Sequence, residues 1–238
     1  MTSPETAPAA LSNVAERRRD PEETQERLLD AAERLFGERG FDGTSLRAVT
    51  QAAGTSVSAA HYHFGSKEAL LVATIRRRTE PITRARLERL ERLEREAAGA
   101  PIPLERLLDA FLCPIFEYRA ARGDHGETFR RIAARLFSDP PAVVADLKRE
   151  IFGPTVERFM SALARALPER SSRSIALDLQ FLVGVMVHVT SGHLEDAPDG
   201  GSVPSLAGLS DERVLGRMIE FVAAGLRAPD RQSGGALR

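Results

Sequence analysis

The chain has 238 residues, room for one large domain or two small ones, and its 42% hydrophobic and 28% charged content lets it bury a sizeable core and excludes a wholly disordered protein. Its 33 basic and 34 acidic residues leave a net charge of -1, so bulk charge does not mark a polyanion binder and any basic face has to arise by local segregation. The single cysteine, Cys113, excludes an internal disulfide framework and a multi-cysteine zinc site.

Residues 1–19 are rich in Ala, Pro, Ser and Thr, end in Arg17, Arg18 and Arg19, and read as a disordered arm with no apolar core of signal-peptide length. A cytoplasmic chain is expected. The first helix opens at Asp20-Pro21-Glu22-Glu23, where a cap, a first-turn proline and acids suit the positive end of the helix dipole. Leu28, Ala31, Ala32, Leu35 and Phe36 recur at helical spacing until Gly40 closes the run. Thr44 is expected to cap a short second helix through about Ala52, Gly54 breaks it, and Ser56 caps a third through His63. Ser66 caps a fourth helix, which Pro81 is expected to kink or break. Beyond it, Leu87, Leu90 and Leu93 share one face, and the Arg/Glu residues around them are expected to form i,i+4 pairs on a solvated surface.

The remainder also has helical periodicity. Helices are expected over 104–121 with a kink at Pro114, over 127–137, and from Asp139 to Phe152, with a break at Gly153-Pro154 and a continuation to Leu167. Two more follow over 171–193 and 210–227, separated by a Gly/Pro/Ser/Asp loop at 195–208. The stretch from Ile175 to Thr190 is the most apolar, but it carries Asp178, Gln180 and His188 and falls short of a membrane span, so no membrane partner is expected. No segment alternates with strand periodicity. The expected fold class is all-α.

Residues 24–71 read TQERLLDAAERLFGERGFDGTSLRAVTQAAGTSVSAAHYHFGSKEALL. The apolar frame of the first helix, the GFDGTS entry, the AAG turn and the YHFGSKEAL exit follow one another in an order that strongly resembles the DNA-binding domain of the tetracycline-repressor (TetR) family. The resemblance implies an N-terminal three-helix helix-turn-helix domain at 20–67. It further implies a larger helical ligand-binding and dimerisation domain at 68–228 and a disordered tail at 229–238. It places Tyr62 and Lys67 as phosphate contacts. Two positions depart from the pattern: His61 stands where tyrosine or asparagine is common, and Thr55 where valine is common.

The residues support this reading physically. Ala52, Ala53 and Gly54 permit the tight turn, and the compact third helix can approach base edges. Ser58 and His61 offer donors and acceptors, and Val57 or Ala59 an apolar contact for a thymine methyl. Thr44 and Ser45 stand where free backbone donors favour phosphate, and Arg47 reaches a base or a phosphate. Between Gly43 and Arg78 the basic residues Arg47, Lys67, Arg76, Arg77 and Arg78 face one acid, Glu68.

The expected function is a ligand-responsive, sequence-specific DNA-binding transcriptional regulator, a repressor released from a palindromic operator by a small hydrophobic effector. Phe111, Tyr118, Phe159 and His188 are candidate effector contacts, Tyr118 and His188 supplying the polar anchors. A homodimer is expected through the helices 171–193 and 210–227, with Met218 and Val222 among the exposed members of the last helix. The alternative is an all-α small-molecule carrier or enzyme with a degenerate helix-turn-helix. It lacks a sequence basis, because no phosphate-binding loop, dinucleotide glycine motif or metalloprotease motif occurs. No catalytic residue, metal ligand or cofactor is expected.

Overall fold

A computed structural model describes residues 21–121, 132, 142–190 and 208–229. The expected arm at 1–19, the helix at 127–137 with Phe129 and Phe137, most of the loop at 195–208 and the tail beyond residue 229 lie outside the described residues. Among the described residues there are eight helices and no strand, so the fold is all-α. The chain divides into two compact units, with the boundary between Thr74 and Ile75.

In the first unit, α1 (Pro21–Arg39) packs against α2 (Leu46–Ala53) and α3 (Val57–Phe64), and the first turns of α4 (Lys67–Ala97) complete it. Leu28, Leu35, Phe36, Val49, Ala60, Leu70 and Leu71 are fully buried there. Gly40 closes α1 with φ 74°, and its N–H donates a hydrogen bond to the Phe36 carbonyl. The cap of α2 is Ser45, not Thr44: its hydroxyl accepts from the Ala48 amide at 3.1 Å. Thr44 is instead buried, with its hydroxyl shared between the carbonyls of Leu35 (3.1 Å) and Gly40 (2.8 Å). Ser56 and Ser66 cap α3 and α4 in the same way as Ser45, each through a 3.1 Å bond from the amide three residues on.

The turn between α2 and α3 rests on Gly54, whose φ of 61° lies in the left-handed region. The Arg27 guanidinium of α1 donates to the carbonyls of both Ala53 and Gly54. A Cβ at Gly54 would come within 2.8 Å of that guanidinium.

The second unit contains the rest of α4 with α5 (Leu104–Ala120), α6 (Ala142–Ala166), α7 (Ser172–Thr190) and α8 (Asp211–Arg227). α5 packs against α6, α7 and α8, and α7 also packs against α6 and α8. Leu90, Leu107, Leu108, Leu112, Phe159, Ile175, Leu182 and Leu226 form the centre of one hydrophobic core. Pro81, Pro114 and Pro154 all lie inside continuous helices, so the expected break at Gly153-Pro154 does not occur, and of the kink or break expected at Pro81 the break does not occur. An internal proline removes one ladder bond, and the apolar flanks (Ile82, Ile115, Leu112, Ile151) stay buried in the packed bundle on both sides of it.

The charges around Leu87, Leu90 and Leu93 do not form the expected i,i+4 pairs. Arg158 of α6 bridges Glu91 at 2.8 Å and Glu94 at 2.6 Å, Arg165 reaches Glu94 at 3.2 Å, and Arg89 reaches Glu117 of α5 at 2.5 Å. These half-exposed pairs contribute at most about 1 kcal/mol each, so they set helix register while burial of the leucines supplies the stability.

By length and mean hydropathy α7 alone would suffice to cross a bilayer. It serves instead as a wall of the bundle: Ile175, Leu179 and Leu182 are buried in the core, and Asp178 is paired with Arg170 at 2.5 Å.

Gly54→Ala is expected to destabilise the first unit by about 1–2 kcal/mol, from the left-handed backbone and the displaced guanidinium. Chemical denaturation followed by circular dichroism measures it, and a loss no larger than that of Ala52→Gly would contradict this account of the turn.

Candidate nucleic-acid interface

α3 turns Ala60 inward and leaves Val57, Ser58, His61 and Tyr62 exposed on the opposite side, with Tyr62 84% exposed. These four residues share one helical face, since they fall at i, i+1, i+4 and i+5. Ala59 sits at the flank of this face and is half-buried, so Val57 is the better-placed apolar contact. Ser45 and Arg47 are exposed at the start of α2. Thr44 does not join them: its hydroxyl is shared between Leu35 and Gly40 and its amide donates to the Phe41 carbonyl, which removes it from the phosphate-binding set.

His61 has a second role. Its Nδ1 lies 2.7 Å from the carbonyl of Gly65, one turn on. A carbonyl only accepts, so Nδ1 carries the proton, and in the neutral ring Nε2 is an acceptor. Such an atom suits the amino groups of cytosine or adenine in a major groove. Lys67 is half-buried; its Nζ donates to the Phe41 carbonyl at 3.1 Å and sits 4.0 Å from the centre of the Phe41 ring. Phe41 in turn stacks on Phe36 with centroids 6.1 Å apart. Lys67 is thus anchored on the entry loop, and one of its three donors is engaged there. Beside it, Glu68 is exposed, and hydrogen bonds from its own backbone amide and from Ser66 hold its carboxyl below the usual range.

The local basic excess is smaller than the sequence window suggests. Arg76 pairs with Glu150 at 2.6 Å and with Glu80 at 3.4 Å, and Arg78 is buried with a 3.4 Å bond to the Tyr118 hydroxyl. These two and Arg77 belong to the second unit, so Arg47 and Lys67 are left as the basic residues of the window in the first. Arg27 went unrecognised in the sequence. It looks like an ordinary polar-face arginine of α1, and nothing in its spacing signals that it closes the turn.

The candidate effector residues separate. Phe111 and Phe159 are buried and meet edge to face with centroids 5.1 Å apart. Tyr118 is half-buried beside Arg78. His188 is exposed, which excludes it as an interior anchor; it shares a face of α7 with the exposed Leu177 and Phe181. The Cys113 thiol is half-buried, burial pushes its pKa up, and it donates to Glu117 at 3.4 Å.

An N-terminal helix-turn-helix unit followed by a helical domain defines a class of DNA-binding regulatory proteins. Residues 28–74 match the family model for bacterial regulatory proteins of the tetR family, and residues 109–225 match the tetracyclin repressor-like C-terminal domain. The chain belongs to the tetR family. It is similar to the HTH-type transcriptional regulator BetI of Rhizobium meliloti, 47% identical over 49 residues, which are 21% of this chain and 24% of that protein. It is also similar to the HTH-type transcriptional repressor AcnR of Corynebacterium efficiens, 38% identical over 56 residues, 24% of this chain and 30% of that one. The chain therefore matches less than a third of the length of these relatives. Among solved structures, a transcriptional regulator from Pseudomonas aeruginosa PAO1 shares the fold with a TM-score of 0.60 at 17% identity, covering 90% of this chain and 93% of that one. The hemolysin II regulator HlyIIR does so with a TM-score of 0.56 at 19% identity, covering 85% and 98%. The family is one of regulators, not enzymes.

Nitrogen-15 correlation spectra of the neutral His61 ring are expected to show the Nδ1–H tautomer. An Nε2–H ring would remove the bond to Gly65 and reverse the reading chemistry assigned to this side chain.

Proposed function

We propose that this protein is a ligand-responsive, sequence-specific DNA-binding repressor that acts in the cytoplasm as a homodimer. A near-palindromic operator receives one α3 from each copy in successive major grooves, about 34–36 Å apart. The observation that carries this reading is the outward face of Val57, Ser58, His61 and Tyr62, on a short helix whose entry turn is fixed by Arg27 and Gly54. Residues 20–67 form the reading head, with Ser45, Arg47, Tyr62 and Lys67 on phosphates or backbone-proximal edges and Ser58 and His61 on bases. Residues 68–228 form the effector-binding and dimerisation domain, with Phe111, Tyr118 and Phe159 as its candidate lining. The effector acts only through a difference in its affinity for the DNA-competent and DNA-incompetent states.

A second copy of the chain is the proposed occupant of the exposed apolar surface on α7 and α8. Leu177 and Phe181 are 54% and 61% exposed, and Phe221 of α8 is 62% exposed. Met218 and Val222, expected on that surface, are buried in the chain's own core, so charge placed there tests folding instead of association. The apolar face suits an antiparallel or crossed pairing with its own copy in a four-helix arrangement.

Selection from random duplex DNA is expected to enrich a palindromic site. Tyr62→Ala and Lys67→Ala weaken binding to all sequences, the lysine change with a shallower salt dependence, whereas Ser58→Ala or His61→Ala changes base preference by about 1–3 kcal/mol at the contacted position. Folded protein that enriches no site would refute the regulator reading. Phe181→Asp and Phe221→Asp are each expected to convert the dimer to monomer in sedimentation and to abolish operator binding. A wild-type chain that sediments as a monomer at micromolar concentration would sink the dimer assignment.

A further inference from the structure

Arg86 is the most unusual polar residue in the second unit. It lies on α4 and is 4% exposed. Its Nε donates to the Phe111 carbonyl at 2.7 Å, its Nη2 lies 3.1 Å from the Met186 sulfur, and its guanidinium carbon sits 4.1 Å from the centre of the Phe111 ring. These are a neutral acceptor, a weak acceptor and an aromatic face. Among the described residues no carboxylate pairs with it, whereas the neighbouring Arg89 has Glu117 and Asp109. Burial alone pushes its pKa down to about 10, so at neutral pH the side chain remains a cation, with no carboxylate partner among the described residues.

Two further buried polar groups on α4 and α6 bear on this site. The Thr83 hydroxyl, one turn before Arg86, and the Thr155 hydroxyl of α6 are both buried and have no hydrogen-bond partner. Cross-helix ion pairs bracket this stretch of α4 and α6: Arg76 meets Glu150 at one end, and Glu91 and Glu94 meet Arg158 at the other. Thr83 and Thr155 both lie between these two sets of ion pairs. Thr155 is also one turn from Phe159, whose ring packs against the same Phe111 that carries Arg86. Arg86 thus stacks on one member of an aromatic pair, and the two unsatisfied hydroxyls lie one helical turn from Arg86 and from the other member.

We propose that Arg86, with the hydroxyls of Thr83 and Thr155, binds the carboxylate of an effector whose apolar body lies along Phe111 and Phe159. This rests on the reading of the chain as effector-responsive, and it narrows the expected small hydrophobic effector to an amphiphilic monocarboxylate. A carboxylate has two acceptor oxygens, enough to take the donors of a guanidinium and of two hydroxyls. It also supplies the counter-charge that the described residues lack, so binding relieves a cost that the unliganded fold carries. A neutral ligand of the same shape leaves that cost in place.

The test uses the full chain and four probes: decanoate and naphthoate, and the uncharged alcohols of the same carbon skeletons. Melting temperature and calorimetric titration are read for the wild type, Arg86→Met and Thr155→Val. At least one carboxylate is expected to stabilise the wild type while its matched alcohol does not. Arg86→Met is expected to fold with undiminished stability in the absence of ligand and to lose carboxylate affinity on the order of tenfold to a hundredfold; Thr155→Val should lose several-fold. Three results overturn the proposal: neither carboxylate binds, the alcohols bind as well as the acids, or Arg86→Met retains carboxylate affinity. If Arg86→Met fails to fold, Thr155→Val decides, and unchanged carboxylate affinity in that variant overturns the proposal. None of these measurements involves DNA. Their failure with operator selection intact refutes the anion site alone, and their success without any selected DNA site refutes the regulator reading instead.

Discussion

The hydrogen bonds from Arg27 to the carbonyls of Ala53 and Gly54 are the constraint on which the reading head depends. A helix-turn-helix has to reverse direction within a few residues, which leaves the last carbonyls of its first helix without helical donors. Gly54 meets the geometric demand with a left-handed backbone, and Arg27 meets the hydrogen-bonding demand from a different helix. One side chain therefore satisfies the turn and ties α1 to α2 and α3. With Thr44 closing the junction of α1 and α2, the orientation of α3 follows from internal contacts, and its outer face is left to Val57, Ser58, His61 and Tyr62.

The second unit solves a different problem. Its arginines do different work according to their partners and their depth. Arg158, Arg165 and Arg89 sit near the surface with carboxylate partners, where solvent screening keeps each pair weak and leaves it the task of aligning helices. Arg86 lies in the interior, where an ion loses most of its hydration. The same residue type on the same helix therefore acts as a register mark three residues further along and as a concentrated unbalanced charge inside.

The fold class and the helix-turn-helix were legible in the sequence because both are written locally. Apolar spacing marks helices, and Ser56, Ser66, Gly40 and Gly54 mark their ends through backbone chemistry that needs no distant partner. The exposed outer face of α3 was legible for the same reason. What misled were residues whose role is set by another helix. Thr44 and Ser45 are adjacent and chemically alike, and only the position of the Leu35 carbonyl decides which is buried and which caps. Pro81 and Pro154 have the local signature of breaks, yet burial of the residues around them keeps the helices whole. His188 among apolar neighbours looked interior, and Met218 and Val222 looked available for association. Which side of α7 or α8 meets the core is fixed by how the bundle closes, a fact absent from either helix taken alone. Arg86 was invisible for the same reason, since its burial comes from α5 and α7.

The named contacts that shape the reading head, Arg27 on Gly54, Thr44 on Leu35, Lys67 on Phe41 and His61 on Gly65, all close within residues 21–74. Selection on the second unit can accordingly alter its interior, including the surroundings of Arg86, through substitutions that leave this set intact. The two units are free to diverge at different tempos. Under the proposed function, a lineage with this architecture acquires a new chemical trigger by changing a few interior side chains, without altering the helix proposed to meet DNA.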